Sequence, residues 1–114
     1  MGESPLVAAF PDLYPISPGH MLIVPRRHEP EFFRLSPDEQ GQMLVLVNEL
    51  YGRLARELRF DGVNLGVNSG VAAGQTIAHA HLHFIPRYGG DVAEPAGGIR
   101  WLLPGKARYW AGER

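Results

Sequence analysis

The segment GQTIAHAHLHFI, residues 74–85, contains three of the chain's five histidines at alternate positions, His79, His81 and His83. In a β-strand, alternate side chains point to the same side of the sheet. The alternation therefore predicts a strand over residues 79–85 that presents three imidazoles on one face. The opposite face is expected to pack into a hydrophobic core through Ala80, Leu82 and Phe84.

Three imidazoles on one strand face need partners, because a buried polar group without a hydrogen bond or a ligand is costly. One interpretation is a set of surface histidines on an edge strand. A second is a zinc or copper site, since alternating histidines suit either metal and a distant carboxylate such as Asp12 could complete the ligand set. The third is a catalytic site in which a histidine acts as a nucleophile.

Two apolar runs before this segment predict further strands. Residues 6–10 form a short run that Pro11 ends, which is typical of an edge strand. Residues 20–24 begin at His20 and lack strict alternation, which favours a strand buried on both faces. Residues 26–35 are polar and contain proline, so we expect a loop or a short helical turn there.

The main helix is predicted by its start signal and by one apolar stripe. The sequence Ser-Pro-Asp-Glu at 36–39 offers a capping serine, a proline at the first helical position and a glutamate that completes a capping box. We expect the helix to cover about residues 37–59 and to stop at residues 61–62. An apolar residue recurs every three or four positions along it, at Met43, Val47, Leu50, Leu54 and Leu58.

The chain after this helix completes the predicted sheet. Residues 63–67 alternate with the period of a half-buried strand, and residues 69–74 form a glycine-rich loop. The histidine strand follows, and Pro86 is expected to end it. The order strand, strand, helix, strand, strand with short links predicts one α+β domain over residues 1–114 with an antiparallel sheet.

The composition excludes several classes of function. The chain has no cysteine, so it forms no disulfide and no zinc site built on thiolates. Its formal net charge of -1 provides no overall attraction to nucleic acid or to a membrane surface. No run of about 18 apolar residues is present to span a bilayer, and no secretory signal is recognisable. We expect a cytoplasmic protein that binds neither nucleic acid nor membrane.

Several motifs of the sequence together resemble those of a known family. HAHLHFI fits the alternating pattern of the histidine-triad (HIT) family at every position, and the Pro-Gly-His at 18–20 before an apolar strand is similar to the family's second signature. Phe10-Pro11-Asp12, Asn68 and Gly74-Gln75-Thr76 also match. The resemblance covers the signature region 6–88 and leaves residues 89–114 as a tail.

The resemblance implies a fold and an assembly. It implies a HIT-like α+β fold in which a five-stranded antiparallel sheet carries one long helix and a short one. It also implies a homodimer in which two such sheets join into one ten-stranded sheet. A chain of 114 residues would leave strand edges poorly covered as a monomer, so a dimer is physically sensible.

The resemblance also implies a mechanism. His81 would attack the α-phosphorus of a nucleotide and become nucleotidylated, and water would then release the nucleotide. A backbone carbonyl on the same strand would hold the far ring nitrogen of His81. His83 and Gln75 would contact phosphate oxygens, while His79 and His20 would complete the histidine cluster without firm roles. Neither a metal nor another cofactor is required for this chemistry.

The same resemblance assigns a set of nucleotide-binding residues. The carboxylate of Asp12 would accept hydrogen bonds from the ribose, although an aspartate that forms a turn is an open alternative. The apolar members would line the base pocket or simply belong to the core. The full set is Phe10, Asp12, Leu13, Leu22, Asn68, Gly74, Gln75 and Thr76.

The third triad position selects among branches of the family. It is His83, whereas the nucleotide-transferring branch carries Gln there, so a hydrolase is expected. The sequence after His83 is similar to hydrolases of the fragile-histidine-triad type, which favours a dinucleoside polyphosphate such as diadenosine tetraphosphate as substrate. A purine nucleoside phosphoramidase and a nucleotide-binding protein with little turnover remain alternatives. Substrate choice is expected to depend on the tail.

Overall fold

The fold, described for residues 4–111 by a computed structural model, is one antiparallel sheet with a long helix packed on one face. The strands β1 (Val7–Pro11), β2 (Met21–Pro25), β3 (Gly62–Gly66) and β4 (Leu82–Arg87) lie in the order β1-β2-β4-β3, and helix α1 covers Pro37–Glu57. The predicted α+β class is confirmed.

The sheet has four strands within residues 4–111, not the five that the resemblance implied. The remaining segments hold no further apolar run of strand length. They form loops and short 3-10 helices, including one at Phe32–Arg34 where a loop or helical turn was predicted. The tail is rich in glycine and proline and likewise folds into 3-10 turns, the longest at Gly98–Leu102.

Helix α1 begins with the predicted capping box. The hydroxyl of Ser36 accepts from the backbone N–H of Glu39 at 3.1 Å, and the Ser36 N–H donates to the Glu39 carboxylate at 2.8 Å. The helix ends two residues earlier than predicted, where the Leu58 N–H bonds to the Leu54 carbonyl. Its buried stripe packs against the sheet through Met43, Leu46, Val47, Leu50 and Leu54.

The core lies between α1 and one face of the sheet. Ile23 and Phe84, at the centres of β2 and β4, are fully buried there. Leu22 is buried on the other face, so β2 is covered on both sides as predicted. Because side chains alternate along a strand, Leu22 and its cross-strand partner His83 point away from the α1 core.

Strand β4 differs from its prediction at both ends, since it begins at Leu82, not at His79, and continues through Pro86. Within β4, only residues 82–84 pair with β2, so Pro86 has β3 as its single neighbouring strand. The missing N–H of proline is tolerated at such a place. The Pro86 carbonyl instead accepts from the Ser17 hydroxyl at 2.7 Å, which ties the loop before β2 to this strand.

Strand β3 lies at one edge of the sheet and is less covered than the others. Val63 and Val67 pack against the core, but Leu65 is 39% exposed. In the part of the chain that the structure describes, no helix is both long and apolar enough to cross a membrane.

Candidate active site

The candidate site is a cleft of about 580 Å³ on the sheet face that points away from α1. Strands β2, β3 and β4 form its floor. The loop between β1 and β2, the loop after β3 and the tail form its walls. Its size is within the usual range for pockets that bind small molecules.

His81 lies at the start of this floor, one residue before β4, and is 7% exposed. Its Nδ1 is 2.8 Å from the backbone carbonyl of His79. A carbonyl only accepts, so Nδ1 carries the proton and the lone pair of a neutral ring is on Nε2. The predicted carbonyl contact is therefore confirmed, and it leaves the lone pair of Nε2 available.

His83 is oriented by a chain of hydrogen bonds that starts at the backbone. The Ile16 N–H donates to Nδ1 of His20 at 3.2 Å, so the proton of a neutral His20 is on Nε2. That Nε2 is 2.9 Å from Nδ1 of His83, which must accept. The remaining nitrogen of His83, Nε2, then carries a proton and acts as a hydrogen-bond donor.

Electrostatics favour the neutral forms that this chain of bonds needs. Burial lowers the pKa of His20, and the nearby Asp12 carboxylate, 3.4 Å from the His20 ring, opposes this only in part. Burial also lowers the pKa of His83, and the neighbouring His81 and His20 lower it further. Both imidazoles are therefore neutral at neutral pH.

Asp12 both forms a turn and lines the cleft, so neither of the two roles considered for it is excluded. One carboxylate oxygen accepts from the Tyr14 N–H at 2.8 Å, which forms a turn. The side chain nevertheless lines the cleft close to His20. A carboxylate in this position is available to accept a hydrogen bond from a ligand.

A metal site was the alternative interpretation of the histidines. The structure places possible ligand atoms of Asp12, His20 and His83 within 4.8 Å of one another, without His79 or His81. Two zinc ligands in tetrahedral geometry lie roughly 3.3 Å apart, close to the distances within this group. However, His20 Nε2 carries the proton because Nδ1 accepts from the backbone, so a metal bond would require that hydrogen bond to break. The hydrogen bonds already present therefore account for His20 and His83 without a metal ion.

His79 does not join the cluster, which corrects the prediction that all three triad histidines share one face. Its Nε2 lies 2.9 Å from the Pro25 carbonyl, and its ring packs edge-on against His28 at 5.6 Å. The two-residue period fails because β4 starts only at Leu82. His28 itself is exposed.

Gln75 does not face the cleft either. Its side-chain oxygen accepts from the Gly70 N–H at 2.9 Å, and its amide donates to the carbonyls of Pro30 and Ile77 at 2.7 and 3.0 Å. These bonds fix the shape of the loop after β3. Within that loop, Gly74 adopts a left-handed conformation with φ of 95°.

The structure brings some of the predicted binding residues to the cleft and leaves others outside it. Leu22, Asn68, Gly74 and Thr76 line the cleft with Asp12. Phe10 and Leu13 do not line it, and Leu13 is 81% exposed. The cleft is also lined by residues that were not predicted, namely Tyr14, Ile16, Asn64, Leu65, Gly66, Val67, Ile77, Ile85, Gly98, Ile99 and Leu102. Asn64 had a signal, because it alternates with Gly66 and Asn68 along one strand face.

Comparison with known proteins identifies a family and its fold. A model of the HIT domain family matches residues 1–90. A bis(5'-nucleosyl)-tetraphosphatase of Schizosaccharomyces pombe is 38% identical over 89 residues, 78% of this chain and 49% of that protein. An AP-4-A phosphorylase of Mycobacterium tuberculosis is 37% identical over 88 residues, 76% of this chain and 45% of that protein.

The structural comparison agrees with the sequence matches. A HIT family protein from Bacillus anthracis has a TM-score of 0.75 and 30% identity, covering 100% of this chain and 86% of that one. This chain spans about half the length of the two curated relatives.

Proposed function

The chain belongs to the HIT domain family, and we propose that it hydrolyses a dinucleoside polyphosphate such as diadenosine tetraphosphate through a nucleotidyl-His81 intermediate. One observation carries the proposal. The unprotonated Nε2 of His81 shares a cleft with a hydrogen-bond donor, Nε2 of His83, and the centroids of the two rings are 5.0 Å apart. The names of the relatives favour this substrate class.

In the first step, the Nε2 lone pair of His81 forms a bond to the α-phosphorus, and the bond from phosphorus to the leaving oxygen breaks. The ring keeps its Nδ1 proton and becomes cationic, and the His79 carbonyl stabilises this charge. His83 donates a hydrogen bond through Nε2 to the oxygen on which negative charge develops. A polyphosphate leaves as a stable anion and needs no proton.

In the second step, water adds to the phosphorus and the bond to His81 breaks. The electron pair of that bond returns to Nε2, which regenerates a neutral ring, and the water's proton goes to solvent. A cationic imidazole is a good leaving group, so the intermediate is labile. The products are a nucleoside monophosphate and the nucleotide released in the first step.

The nucleoside that becomes attached would bind on the side of Asp12. The Asp12 carboxylate would accept hydrogen bonds from the ribose, and Leu22 offers an apolar surface to the base, with adenine favoured. The phosphate would lie near Asn68, Gly74 and Thr76, which line the cleft. No cofactor takes part in either step.

We extend the proposal to a homodimer joined at the β3 edge. An edge strand offers unpaired backbone groups, and Leu65 on this strand is 39% exposed. Helix α1 adds the exposed apolar side chains Leu44 and Tyr51. A dimeric mass by light scattering at micromolar concentration would support this assembly, and a monomeric mass would contradict it.

The experiment that tests the proposed chemistry is mass spectrometry after brief incubation with diadenosine tetraphosphate. We expect an adenylyl adduct or AMP release that survives EDTA and is abolished in His81→Ala. His28→Ala, which removes an exposed histidine outside the cleft, is the matched control. If nothing forms, or if EDTA abolishes turnover, covalent histidine catalysis without a metal is wrong.

A further inference from the structure

The tail forms one wall of the cleft that holds His81. The 3-10 helix Gly98–Leu102 places Gly98, Ile99 and Leu102 in its lining. Ile99 is 57% exposed and Leu102 is 74% exposed, so two large apolar side chains face an open cleft. The family match ends at residue 90, before this wall.

Contacts within the tail fix the shape of this wall. The Trp101 indole N–H donates to the Ala96 carbonyl at 2.8 Å, and Ala107 is fully buried. Gly97 has a φ of 96°, and a side chain there would meet the Ala107 carbonyl at 3.0 Å and the Trp110 ring at 3.2 Å. The wall is therefore a packed element and not a loose end.

Asn64, on β3, supplies a polar group beneath the wall. Arg87 donates to its side-chain oxygen at 2.7 Å, and because arginine only donates, this contact fixes the orientation of the amide. The amide nitrogen then offers its two N–H groups. It lies 3.8 Å from the position of a Cβ built on Gly98, so it is directly below the start of the 3-10 helix.

This side of the cleft has no positive charge to bind phosphate. None of the described residues that line the cleft is lysine or arginine. Arg87 is next to it, but both Asp91 carboxylate oxygens accept from its guanidinium at 2.8 and 2.9 Å. The same pairing lowers the pKa of Asp91 to about 2. Apolar side chains with one amide donor suit an uncharged heterocycle better than a phosphate chain.

We propose that Asn64, Ile99 and Leu102 form a leaving-group subsite that takes the second nucleobase of the substrate. The inference rests on the proposed function. The strand order places Asp12, which follows β1, and Asn64, on β3, on opposite sides of His83 on β4. The first nucleoside occupies the Asp12 side, the second base lies against Ile99 and Leu102, and the Asn64 amide donates to a ring acceptor.

The test compares kcat/KM for diadenosine tetraphosphate with kcat/KM for adenosine 5'-tetraphosphate, which lacks the second nucleoside. We expect the wild type to prefer the dinucleoside. Ile99→Ser, Leu102→Ser and Asn64→Ala should each lower that preference roughly tenfold, since loss of one good apolar or polar contact has an effect of this order. Asn64→Ala removes the amide donor without adding a charge.

Leu103→Ser is the matched control, because Leu103 is 69% exposed in the same segment and does not line the cleft. It should keep the wild-type preference. Equal turnover of both substrates by the wild type would overturn the subsite while leaving the proposed function standing. Equal losses on both substrates in the three variants would also overturn it. No turnover of either substrate would instead overturn the proposed function.

Discussion

The proton on Nε2 of His83 depends on a backbone group in another part of the fold. The Ile16 N–H sets the tautomer of His20, and His20 then sets the tautomer of His83. His20 has no contact with a reacting atom in the proposed mechanism, so it acts as a positioning residue. Its effect should appear in catalysis more than in substrate binding.

We predict that replacing His20 lowers kcat. His20→Ala removes the donor to His83, and we expect kcat to fall roughly tenfold, the effect of losing about 1.4 kcal/mol of hydrogen bonding, with little change in KM. His20→Gln retains an N–H donor and should recover part of the loss. Nitrogen-15 NMR should report a changed tautomer of His83 in His20→Ala alone. Equal losses in both variants with an unchanged His83 spectrum would contradict the positioning role.

Sequence reasoning reached some of these residues and missed others for a physical reason. The resemblance implied that a backbone carbonyl close to His81 along the chain would hold its ring, and the His79 carbonyl, two residues away, does so. Gln75 instead bonds to the Pro30 carbonyl, 45 residues away. No local pattern shows that partner, and the matching family motif suggested a ligand contact in its place.

The bounds of the helix follow from local sequence signals, whereas the bounds of a strand depend on long-range pairing. The capping box and the apolar stripe predicted α1 to within two residues at its end, because both signals lie within the helix itself. The start of β4 was wrong by three residues because the register with β2 sets it. The same register explains why Pro86 continues a strand that it was expected to end.

We predict that loss of the N-terminal cap of helix α1 lowers the stability of the fold. Ser36→Ala removes the oxygen that accepts from the Glu39 N–H, so the free energy of unfolding should fall by about 1 kcal/mol. Thermal denaturation should show a Tm lower by about 4 °C for a domain of this size. Glu49→Ala, at an exposed position on the same helix, should leave Tm nearly unchanged. An unchanged Tm in Ser36→Ala would show that the cap contributes nothing to stability.

For the whole molecule, two neutral histidines link folding to pH. Burial lowers the pKa of His20 and of His83 in the folded state, whereas in the unfolded chain both have a pKa near about 6.5. As pH falls below this value, the unfolded chain takes up protons that the folded chain does not. The contribution of the two histidines to the free energy of unfolding is therefore fully present above about pH 6.5 and is lost as the pH falls below it.

We expect a lower Tm at pH 5.5 than at pH 7.5, measured by scanning calorimetry. His20→Gln removes one of the two groups and should reduce the difference between the two Tm values. His28→Gln, an exposed histidine outside the cleft, should leave that difference as in the wild type. Identical differences in all three proteins would show that burial of His20 does not control the acid sensitivity.

The bond from the Ser17 hydroxyl to the Pro86 carbonyl has a consequence for recognition. The loop that it holds carries Asp12 and Ile16, and the strand that it joins carries His83, so the proposed ribose acceptor and the two hydrogen-bonded histidines are tied together. This contact is made when the chain folds. The loop has therefore lost its conformational freedom before a nucleotide arrives, and binding does not have to order it. Affinity on the Asp12 side then reflects the contacts themselves, because the site is preorganised.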